Sequence, residues 1–454
     1  MREACGVFGI NFRRSCFGEV KAGAFNIQHR GQEWGGFSLF VRGQIENVVE
    51  PGLIKSTFEE AKRKRPELLE GQMGIAHVSL LDPQPVKIES SRVGPFALAL
   101  NGRIVNRDKC LESLGDPPLQ IGSDAEILAM MIARGKDYVD GIKEVLQNAK
   151  GAFSLVVLTP DGVFAARDPL GFKPLALGKG LDGCACSSES PGLTKINMQL
   201  IREVKAGEIV LLEPSGFTIQ TQIGSPRRAL CPFEYSYFAR VSSIIEGIPV
   251  VIARHNMGAA LFQNDDVDLV SPIPFSGIAH AEGYHLVAIA AGAPYVTVFE
   301  YNRYSDRSWT SPSQDTSDET AEEKLTIIEG AIKGKRIALA DDSIFGATQI
   351  KGWIFRLIDM GARQVHCRIS APPVKHPCLV DFPNRIGKKL IAVDHNEEEI
   401  RRMIGATTLR FNTLDVFLNA IISAQIQAKK EKDLLLPEDF CTYCFTGINP
   451  LGRI

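Results

Sequence analysis

The second half of this chain alternates apolar runs with segments of helical spacing, and this alternation limits the possible folds more than any other feature. The change of texture begins near Ile248. In chain order, the predicted elements are the helix Arg254–Phe262, the strand Asp266–Val270, the helix Ser276–Ala290, the strands Tyr295–Phe299 and Arg336–Ala340, the helix Thr348–Met360 and the strand Gln364–Ile369. Strands that alternate with helices are typical of a parallel α/β sheet with helices packed on it.

The first half of the chain has many short apolar runs separated by Gly, Pro and Asp. The clearest strand candidates are Cys5–Ile10, Gly36–Val41, Pro95–Leu100, Gly151–Leu158 and Gly162–Ala166. Helical spacing is clearest at Ser123–Ala133 and Gly141–Asn148. Many strands with few helices predict sheets packed on one another, with helical outer layers. We therefore expect two domains, residues 1–230 and residues 231–454.

Composition narrows the class of protein. The chain has 454 residues, 44% of them hydrophobic and 23% charged, as in a soluble globular protein with more than one core. A net charge of -2 gives no general attraction to nucleic acid or to an anionic membrane. No apolar run reaches the roughly 20 residues that span a bilayer, and the start lacks the pattern of a secretory signal. We expect a cytoplasmic protein whose partners are small molecules.

Cys5 lies directly before the first apolar strand, where a thiol can serve as a nucleophile. If Met1–Ala4 were removed as a propeptide, the α-amine of Cys5, with a pKa of about 8, could accept the thiol proton. Amide hydrolysis would also need an oxyanion hole, which the Asn101 amide and the Gly102 N–H could form. Asp124 could bind a substrate ammonium group. The alternatives are a buried strand cysteine, an Asn-Gly turn and a helix cap.

A second set of polar residues follows the strand Arg336–Ala340. Asp341 and Asp342 end this strand, at the edge where open α/β sheets bind ligands. Their carboxylates could hold ribose hydroxyls or Mg²⁺. The turn Gly346–Thr348 opens the next helix and could place its N–H groups around a phosphate. The alternative is a solvated Asp-Asp turn.

Cysteines provide a third signal. Ten cysteines in an intracellular chain argue against a disulfide framework. Cys441 and Cys444 form a Cys-x-x-Cys pair, which fits half of a zinc site or a redox pair. An iron–sulfur cluster needs four thiolates, and Cys231 and Cys378 are the candidates for the other two.

Together these motifs resemble the glutamine phosphoribosylpyrophosphate amidotransferases. The matching stretches are Cys5–Ile10, Gln28–Gly36, Asn101–Asn106, Ser123–Ile127, Ala165–Leu175 and Asp341–Thr348. The resemblance implies an N-terminal-nucleophile hydrolase domain of αββα architecture that acts as a glutaminase, followed by a type I phosphoribosyltransferase α/β domain. It also implies a homotetramer that makes 5-phosphoribosylamine, the first step of purine synthesis.

The resemblance assigns roles to individual residues. It implies that Cys5 is the nucleophile, that Asn101 and Gly102 form the oxyanion hole, and that Asp124 binds the glutamine amino group. The other residues that it places at substrates are Arg30, His77, Ser276, Asp341, Asp342, Ser343, Gly346 and Thr348, with Mg²⁺ at Ser276, Asp341 and Asp342. The Bacillus-type branch of the family carries a 4Fe–4S cluster at positions that match Cys231, Cys378, Cys441 and Cys444.

The chain departs from the family pattern at substrate-contacting positions. Ser79 stands where the family has the Arg that binds the glutamine α-carboxylate, and Arg30 is the candidate replacement. Phe275 occupies a position where the family has an acidic residue, and Tyr301 occupies one where the family has a Lys. The loop after Asp342 is one residue shorter and lacks an Arg, while Ser305–Glu323 is acidic and predicts a mobile loop. The alternative function is therefore a divergent paralogue, either a hydrolase of another amide or an iron–sulfur sensor or binding protein.

Overall fold

The structure is a computed structural model that describes residues 5–115, 117–224, 227–302, 325–380, 390–428 and 433–452. The expected propeptide Met1–Ala4 and the expected loop Ser305–Glu323 lie outside the described residues.

The first half of the chain is rich in strands, as the sequence predicts. These strands are β1 (Gly6–Phe12), β2 (Trp34–Val41), β3 (Gln44–Pro51), β4 (Met73–Ser79), β5 (Val86–Ile88), β6 (Phe96–Ile104), β7 (Gly151–Thr159), β8 (Gly162–Arg167), β9 (Ala176–Lys179), β10 (Gly183–Ser187), β11 (Gln199–Glu203), β12 (Glu208–Glu213) and β13 (Gly216–Gln222). They form two antiparallel sheets in the described chain, with the orders β11-β9-β10-β1-β4-β2-β3 and β13-β12-β8-β7-β6-β5.

The two sheets stack face to face with helices outside both. Val7, Ile75 and Val156 are among the fully buried residues between the sheets. The helices of this half are Phe17–Asn26, Ile54–Lys64, Arg107–Leu114, Asp124–Ala133, Tyr138–Asn148 and Ser190–Thr194. The first two cover the first sheet, and Asp124–Ala133 and Tyr138–Asn148 cover the second. The predicted αββα layering is therefore confirmed.

The second half contains a parallel sheet. Its strands are β14 (Ile244–Ile245), β15 (Ile248–Pro249), β16 (Leu269–Pro272), β17 (Phe299–Tyr301), β18 (Leu325–Ile327), β19 (Arg336–Asp341), β20 (Gln364–Ile369) and β21 (Thr408–Phe411). The parallel sheet has the order β16-β19-β20-β21, while β14 pairs with β15 and β17 with β18 as short antiparallel ribbons.

Helices pack on both faces of the parallel sheet. In chain order the helices of this half are Val250–Ala259, Ile278–Ala288, Glu329–Ile332, Thr348–Asp359, Ile391–Asp394, Glu397–Ile404, Leu414–Gln427 and Tyr443–Thr446. Trp353 and Leu357 belong to the apolar cluster on one face, and Tyr284 packs with Ala338 on the other. The α/β class predicted from the alternation is confirmed.

One predicted strand is wrong. Tyr295–Phe299 was expected to join the parallel sheet, but only an isolated bridge links Tyr295 to Val270, and β17 begins at Phe299. The Val296 N–H donates to the Val270 carbonyl, but Pro272 has no N–H with which to continue this parallel pairing, and the Val298 N–H donates to the Ser271 hydroxyl instead. Among the described residues, no helix has both the length and the apolar character to cross a membrane.

Candidate active sites

The first candidate site is a cavity of about 120 Å³ at the start of β1. Its lining residues are Cys5, Leu81, Asp82, Gln84, Gly102, Arg103, Arg107, Gly122, Ser123 and Asp124. Cys5 reaches this position because β1 lies between β10 and β4 in the first sheet, and β6 brings Gly102 from the second sheet. The structure thus brings together Cys5, Gly102 and Asp124, which the sequence assigns to one reaction.

Gly102 occupies a position that other residues cannot fill. Its φ is +126°, and a Cβ there would lie 2.0 Å from the carbonyl oxygen of Ala152 on the neighbouring strand. Only glycine fits this backbone without strain. Asn101 is buried beside it and donates its side-chain amide to Ser188 Oγ at 3.3 Å. Ser188 Oγ also accepts the Val7 N–H at 2.9 Å, so Asn101 is tied to the start of β1, two residues after Cys5.

The motif Ala165–Leu175 stabilises the strand that pairs with Gly102. Asp168 is fully buried and accepts the N–H groups of Phe153, Leu170 and Phe172 at 2.9–3.2 Å. Phe153 pairs with Gly102 across the sheet. Burial raises the pKa of Asp168 to about 6, against the effect of the Arg167 charge and these N–H bonds. Asp168 therefore fixes the strand on which Gly102 rests.

Asp124 lies at the start of the helix Asp124–Ala133, which Ser123 caps by accepting the Glu126 N–H at 3.2 Å. The Asp124 carboxylate accepts the Ile104 N–H at 3.0 Å and Arg107 Nη1 at 2.7 Å. These contacts orient the carboxylate in the cavity wall.

Ser79 does not replace the missing arginine. Its side chain is buried, and its hydroxyl donates to the Asp82 carbonyl at 2.7 Å. Asp82 itself lines the cavity, where burial and the nearby Asp124 charge raise its pKa. Position 79 therefore contributes a hydroxyl bound to its own loop, and no cation.

Arg30, which was expected to bind substrate, is not among the residues that line this cavity. Its guanidinium is 1% exposed and forms ion pairs with Glu189 and Glu234, while Lys173 Nζ lies 3.7 Å from Glu234. The charges of these two glutamates outweigh the cost of burial and raise the pKa of Arg30. Because both glutamates occupy the guanidinium, Arg30 joins the two halves of the chain instead of contacting a ligand.

His77, which was also expected at the substrate, lies in β4, is fully buried and is not among the residues that line the cavity. Its Nε2 is 3.0 Å from the Leu100 carbonyl oxygen, and its Nδ1 has no hydrogen-bond partner in the described structure. Burial lowers the pKa of His77 to about 3. The ring therefore stays neutral and supports the strand that leads to Asn101.

Because His77 is buried, its contribution to the stability of the fold depends on pH. The unfolded chain takes up a proton at His77 below about pH 6.5, whereas the folded chain resists protonation down to about pH 3. Stability is therefore lost as the pH falls through this window, by about 2 kcal/mol between pH 7 and pH 5. In urea unfolding, His77→Gln should reduce this loss by that amount, since Gln can still donate to Leu100. Equal losses in the wild type and in His77→Gln would contradict the assignment.

The second candidate site lies at the carboxyl end of β19. Ser276 Oγ donates to Asp341 Oδ1 at 3.2 Å, and Ser343 Oγ donates to Asp342 Oδ2 at 2.5 Å. Burial and the adjacent Asp342 charge raise the pKa of Asp341 well above its ordinary value, and burial raises that of Asp342. Asp342 is buried and Asp341 is partly buried, and a cation would offset the repulsion between two carboxylates at one sheet edge. Hard oxygen donors of this kind suit Mg²⁺, which takes one or two carboxylates and completes its shell with phosphates and water.

The turn after these carboxylates ends in a helix, as predicted. Gly346 has open space around its Cα, and the helix begins at Thr348. Ile344 is buried in the core of the sheet, and Phe345 packs on Phe233 with ring centroids 5.8 Å apart. The contacts of Ile344 and Phe345 therefore hold the shortened loop in place. The N–H groups of Gly346–Thr348 follow these two residues in the chain.

The two other departures touch each other. The rings of Phe275 and Tyr301 have centroids 4.5 Å apart, and Phe275 is 61% exposed. Phe275 directly precedes Ser276, so this aromatic pair lies beside the carboxylates. An apolar contact thus takes the place that the family gives to an acidic residue and a Lys.

The third site is an apolar cavity between the two halves of the chain. It is lined by Cys231, Cys378, Cys441 and Cys444, together with Ala152, Phe172 and Lys173 from the first half. Burial raises the pKa of Cys441 to about 12 and those of Cys231 and Cys444 well above the ordinary value. Within the described residues, no three His, Cys, Asp or Glu side chains are arranged to hold a single metal ion. The four thiols instead surround the cavity.

Backbone hydrogen bonds hold the three cysteine-bearing segments together. The Leu230 N–H donates to the Asp439 carbonyl at 2.8 Å, and the Cys441 N–H donates to the Leu230 carbonyl at 2.9 Å. The His376 N–H donates to the Cys444 carbonyl at 3.0 Å. Segments that are far apart in sequence therefore meet at this point.

Sequence reasoning missed several residues of the first site. Asp82, Arg103 and Arg107 line the cavity, and Ser188 links Asn101 to β1. Arg103 and Arg107 stand just after Asn101-Gly102, so their position in the chain was a usable signal. Ser188 offered none, because the contact that matters joins residues 87 positions apart.

Comparison with known proteins agrees with this geometry. Residues 76–195 match a family model described as a glutamine amidotransferase domain. The amidophosphoribosyltransferase of Bacillus subtilis strain 168 is 33% identical over 99% of this chain and 94% of its own length. That of Methanothermobacter thermautotrophicus is 34% identical over 93% and 91%, respectively. The solved structure of glutamine phosphoribosylpyrophosphate amidotransferase from B. subtilis, complexed with ADP and GMP, is similar with a TM-score of 0.88 at 33% identity and covers 98% of this chain and 97% of that one.

Proposed function

Because this chain belongs to the amidophosphoribosyltransferase family, we propose that it makes 5-phosphoribosylamine from phosphoribosyl pyrophosphate and ammonia released from glutamine, the first step of purine synthesis. The observation that carries the proposal is the single cavity that holds Cys5, Gly102 and Asp124. A nucleophile, an oxyanion donor and an ammonium partner around one space are what hydrolysis of an amino acid amide requires.

In the first site, the Cys5 thiolate attacks the amide carbon of glutamine, and the side-chain amide of Asn101 and the N–H of Gly102 stabilise the oxyanion. Removal of Met1–Ala4 exposes the α-amine of Cys5, which accepts the thiol proton and returns it to the leaving ammonia. Water then hydrolyses the thioester and releases glutamate. Asp124 holds the α-ammonium group during both steps.

In the second site, ammonia attacks the anomeric carbon of the ribose and pyrophosphate leaves. Asp341 and Asp342 accept hydrogen bonds from the ribose hydroxyls, and the N–H groups of Gly346–Thr348 face the 5-phosphate. Ser276, Asp341 and Asp342 would hold Mg²⁺, which neutralises charge on the leaving pyrophosphate when it is bound.

We also propose that Cys231, Cys378, Cys441 and Cys444 hold a 4Fe–4S cluster. The donor set is entirely thiol and the walls of the cavity are apolar. The cluster would join three segments of the chain to one another and to the first half. The proposed reaction moves no electrons, so its role is structural or oxygen-sensing.

Replacing Cys444 by Ser should remove the cluster. Iron and acid-labile sulfide should fall from about four of each per chain to near zero, and the visible absorbance should disappear, because a serine hydroxyl is a poor ligand for iron in such clusters. Cys110→Ser is the matched control, since the Cys110 thiol contacts Asn106 Oδ1 at 3.7 Å and lies outside the cavity. Equal iron content in both variants would rule out Cys444 as a ligand.

The function itself is tested with cluster-reconstituted protein, phosphoribosyl pyrophosphate and Mg²⁺, supplied with glutamine or with ammonia. Glutamate and pyrophosphate are both measured. We expect both products from glutamine and pyrophosphate alone from ammonia. Glutamate without pyrophosphate under any condition would instead identify a hydrolase, and neither product would identify a sensor or binding protein.

The divergent paralogue is the second candidate function, and the contact between Phe275 and Tyr301 favours it. Two aromatic rings beside Asp341 offer a highly charged pyrophosphate no cation. In that case the second domain would serve as a scaffold or bind a less charged ligand.

We further propose that the protein is cytoplasmic and forms a homo-oligomer, a tetramer by resemblance to its family. Leu286, Val287 and Ile289 are 42–64% exposed at the end of the helix Ile278–Ala288 and offer an apolar contact surface. Their burial in a subunit interface would remove this surface from water.

A further inference from the structure

The wall of the Cys5 cavity carries charges of both signs. Asp82 and Asp124 supply carboxylates, and Arg103 and Arg107 supply guanidinium groups. A cavity lined in this way around a nucleophile complements a zwitterion, since an ammonium group and a carboxylate can each find the opposite charge.

The two arginines lie at different distances from Asp124. Arg107 Nη1 lies 2.7 Å from Asp124 Oδ1, and its Nη2 donates to the Gly122 carbonyl at 2.6 Å. These two bonds commit Arg107 to orienting Asp124. Arg103 Nε lies 4.0 Å from Asp124 Oδ2, and its side chain is 44% exposed. Arg103 is also adjacent in sequence to Gly102, so it extends from the backbone that faces Cys5.

We propose that Arg103 binds the α-carboxylate of the amide substrate and thereby replaces the arginine that is absent at position 79. This inference rests on the proposed glutaminase site and defines its substrate class as α-amino acid amides with a free carboxylate. Asp124, held by Arg107, takes the ammonium group. Arg103 and Asp124 then hold the two charges of one substrate on neighbouring parts of the wall.

The test measures how fast Cys5 in the full-length protein is alkylated by 6-diazo-5-oxo-L-norleucine, a diazoketone that carries the amino acid head group of glutamine. Intact mass spectrometry reports the labelled fraction. Arg103→Gln should slow this labelling about tenfold to a hundredfold, because a hydrogen bond to a charged group changes binding by about this factor. Arg103→Lys should recover part of the loss, because the charge remains but the bidentate geometry does not.

Two comparisons separate the outcomes. Iodoacetamide, which has no carboxylate, should label Cys5 at the same rate in the wild type and in Arg103→Gln. Arg92 is an exposed arginine outside the cavity lining, so Arg92→Gln should react with the diazoketone as fast as the wild type. Equal diazoketone rates in wild type and Arg103→Gln would overturn the role of Arg103 while leaving the glutaminase site in place. If iodoacetamide labels wild-type Cys5 and the diazoketone does not, both the inference and the glutaminase site are overturned.

Discussion

Replacing Cys5 by Ala should lower glutamate release from glutamine by about a thousandfold or more, while ammonia-dependent pyrophosphate release continues at the wild-type rate. Removing a covalent nucleophile costs this much or more in enzymes that depend on one. The ammonia reaction should survive because it needs the carboxylates at the end of β19, which lie in the other half of the chain. Coupled assays for glutamate and pyrophosphate on the same preparation measure both rates.

Cys110→Ser provides the control for general effects of removing a thiol, because Cys110 is buried in the same half but outside the Cys5 cavity. Intact mass of the wild-type protein adds an independent check, since the proposed chemistry needs Cys5 at the N-terminus. A Cys5→Ala variant that still releases glutamate, or a fully active protein that still begins at Met1, would contradict the role of Cys5 as nucleophile and base.

The fold was predictable because its periodicities are local. The strand at Gln364–Ile369 was predicted with its observed bounds, and the helix predicted at Thr348–Met360 ends one residue earlier. The strand predicted at Tyr295–Phe299 failed for a physical reason: its composition suits a strand, but Pro272 on the neighbouring strand has no N–H with which to extend the pairing beyond an isolated bridge. Whether an apolar run joins a sheet depends on which partners reach it, and a single sequence does not carry that information.

The same limit applies to the sites. Cys5, Gly102 and Asp124 could be placed together because amide hydrolysis needs their three roles and the family resemblance assigns them to one site. The type of residue at position 30 was visible, but its partners were not. Glu189 and Glu234 lie 159 and 204 residues further along the chain, and only the fold brings them to Arg30. An arginine in a family motif therefore looks like a substrate ligand until the structure shows that its guanidinium is already bound.

Replacing Arg30 by Met should destabilise the protein by about 3–5 kcal/mol, because it leaves two buried carboxylates without their shared cation. Glu189 and Glu234 are 0% and 2% exposed, so water cannot replace the lost ion pairs. His29, Ser243 and the Arg240 N–H still contact Glu189. Lys173 Nζ stays 3.7 Å from Glu234, so it would be the remaining buried Lys or Arg beside two buried carboxylates where two such cations now lie. Urea unfolding, together with limited proteolysis of the junction between the halves, measures the effect.

The double variant Arg30→Met, Glu189→Gln tests the cause, because it leaves Glu234 paired with Lys173. Removing the charges of Arg30 and Glu189 together should restore much of the lost stability, since the cost comes from unpaired buried charge and the amide is isosteric with the carboxylate. If Arg30 instead bound glutamine, Arg30→Met would raise the KM for glutamine and leave the unfolding curve nearly unchanged. The two readouts therefore separate a cation that joins the halves of the chain from one that binds substrate. A loss of stability below about 1 kcal/mol, the usual worth of an exposed ion pair, would contradict the joining role.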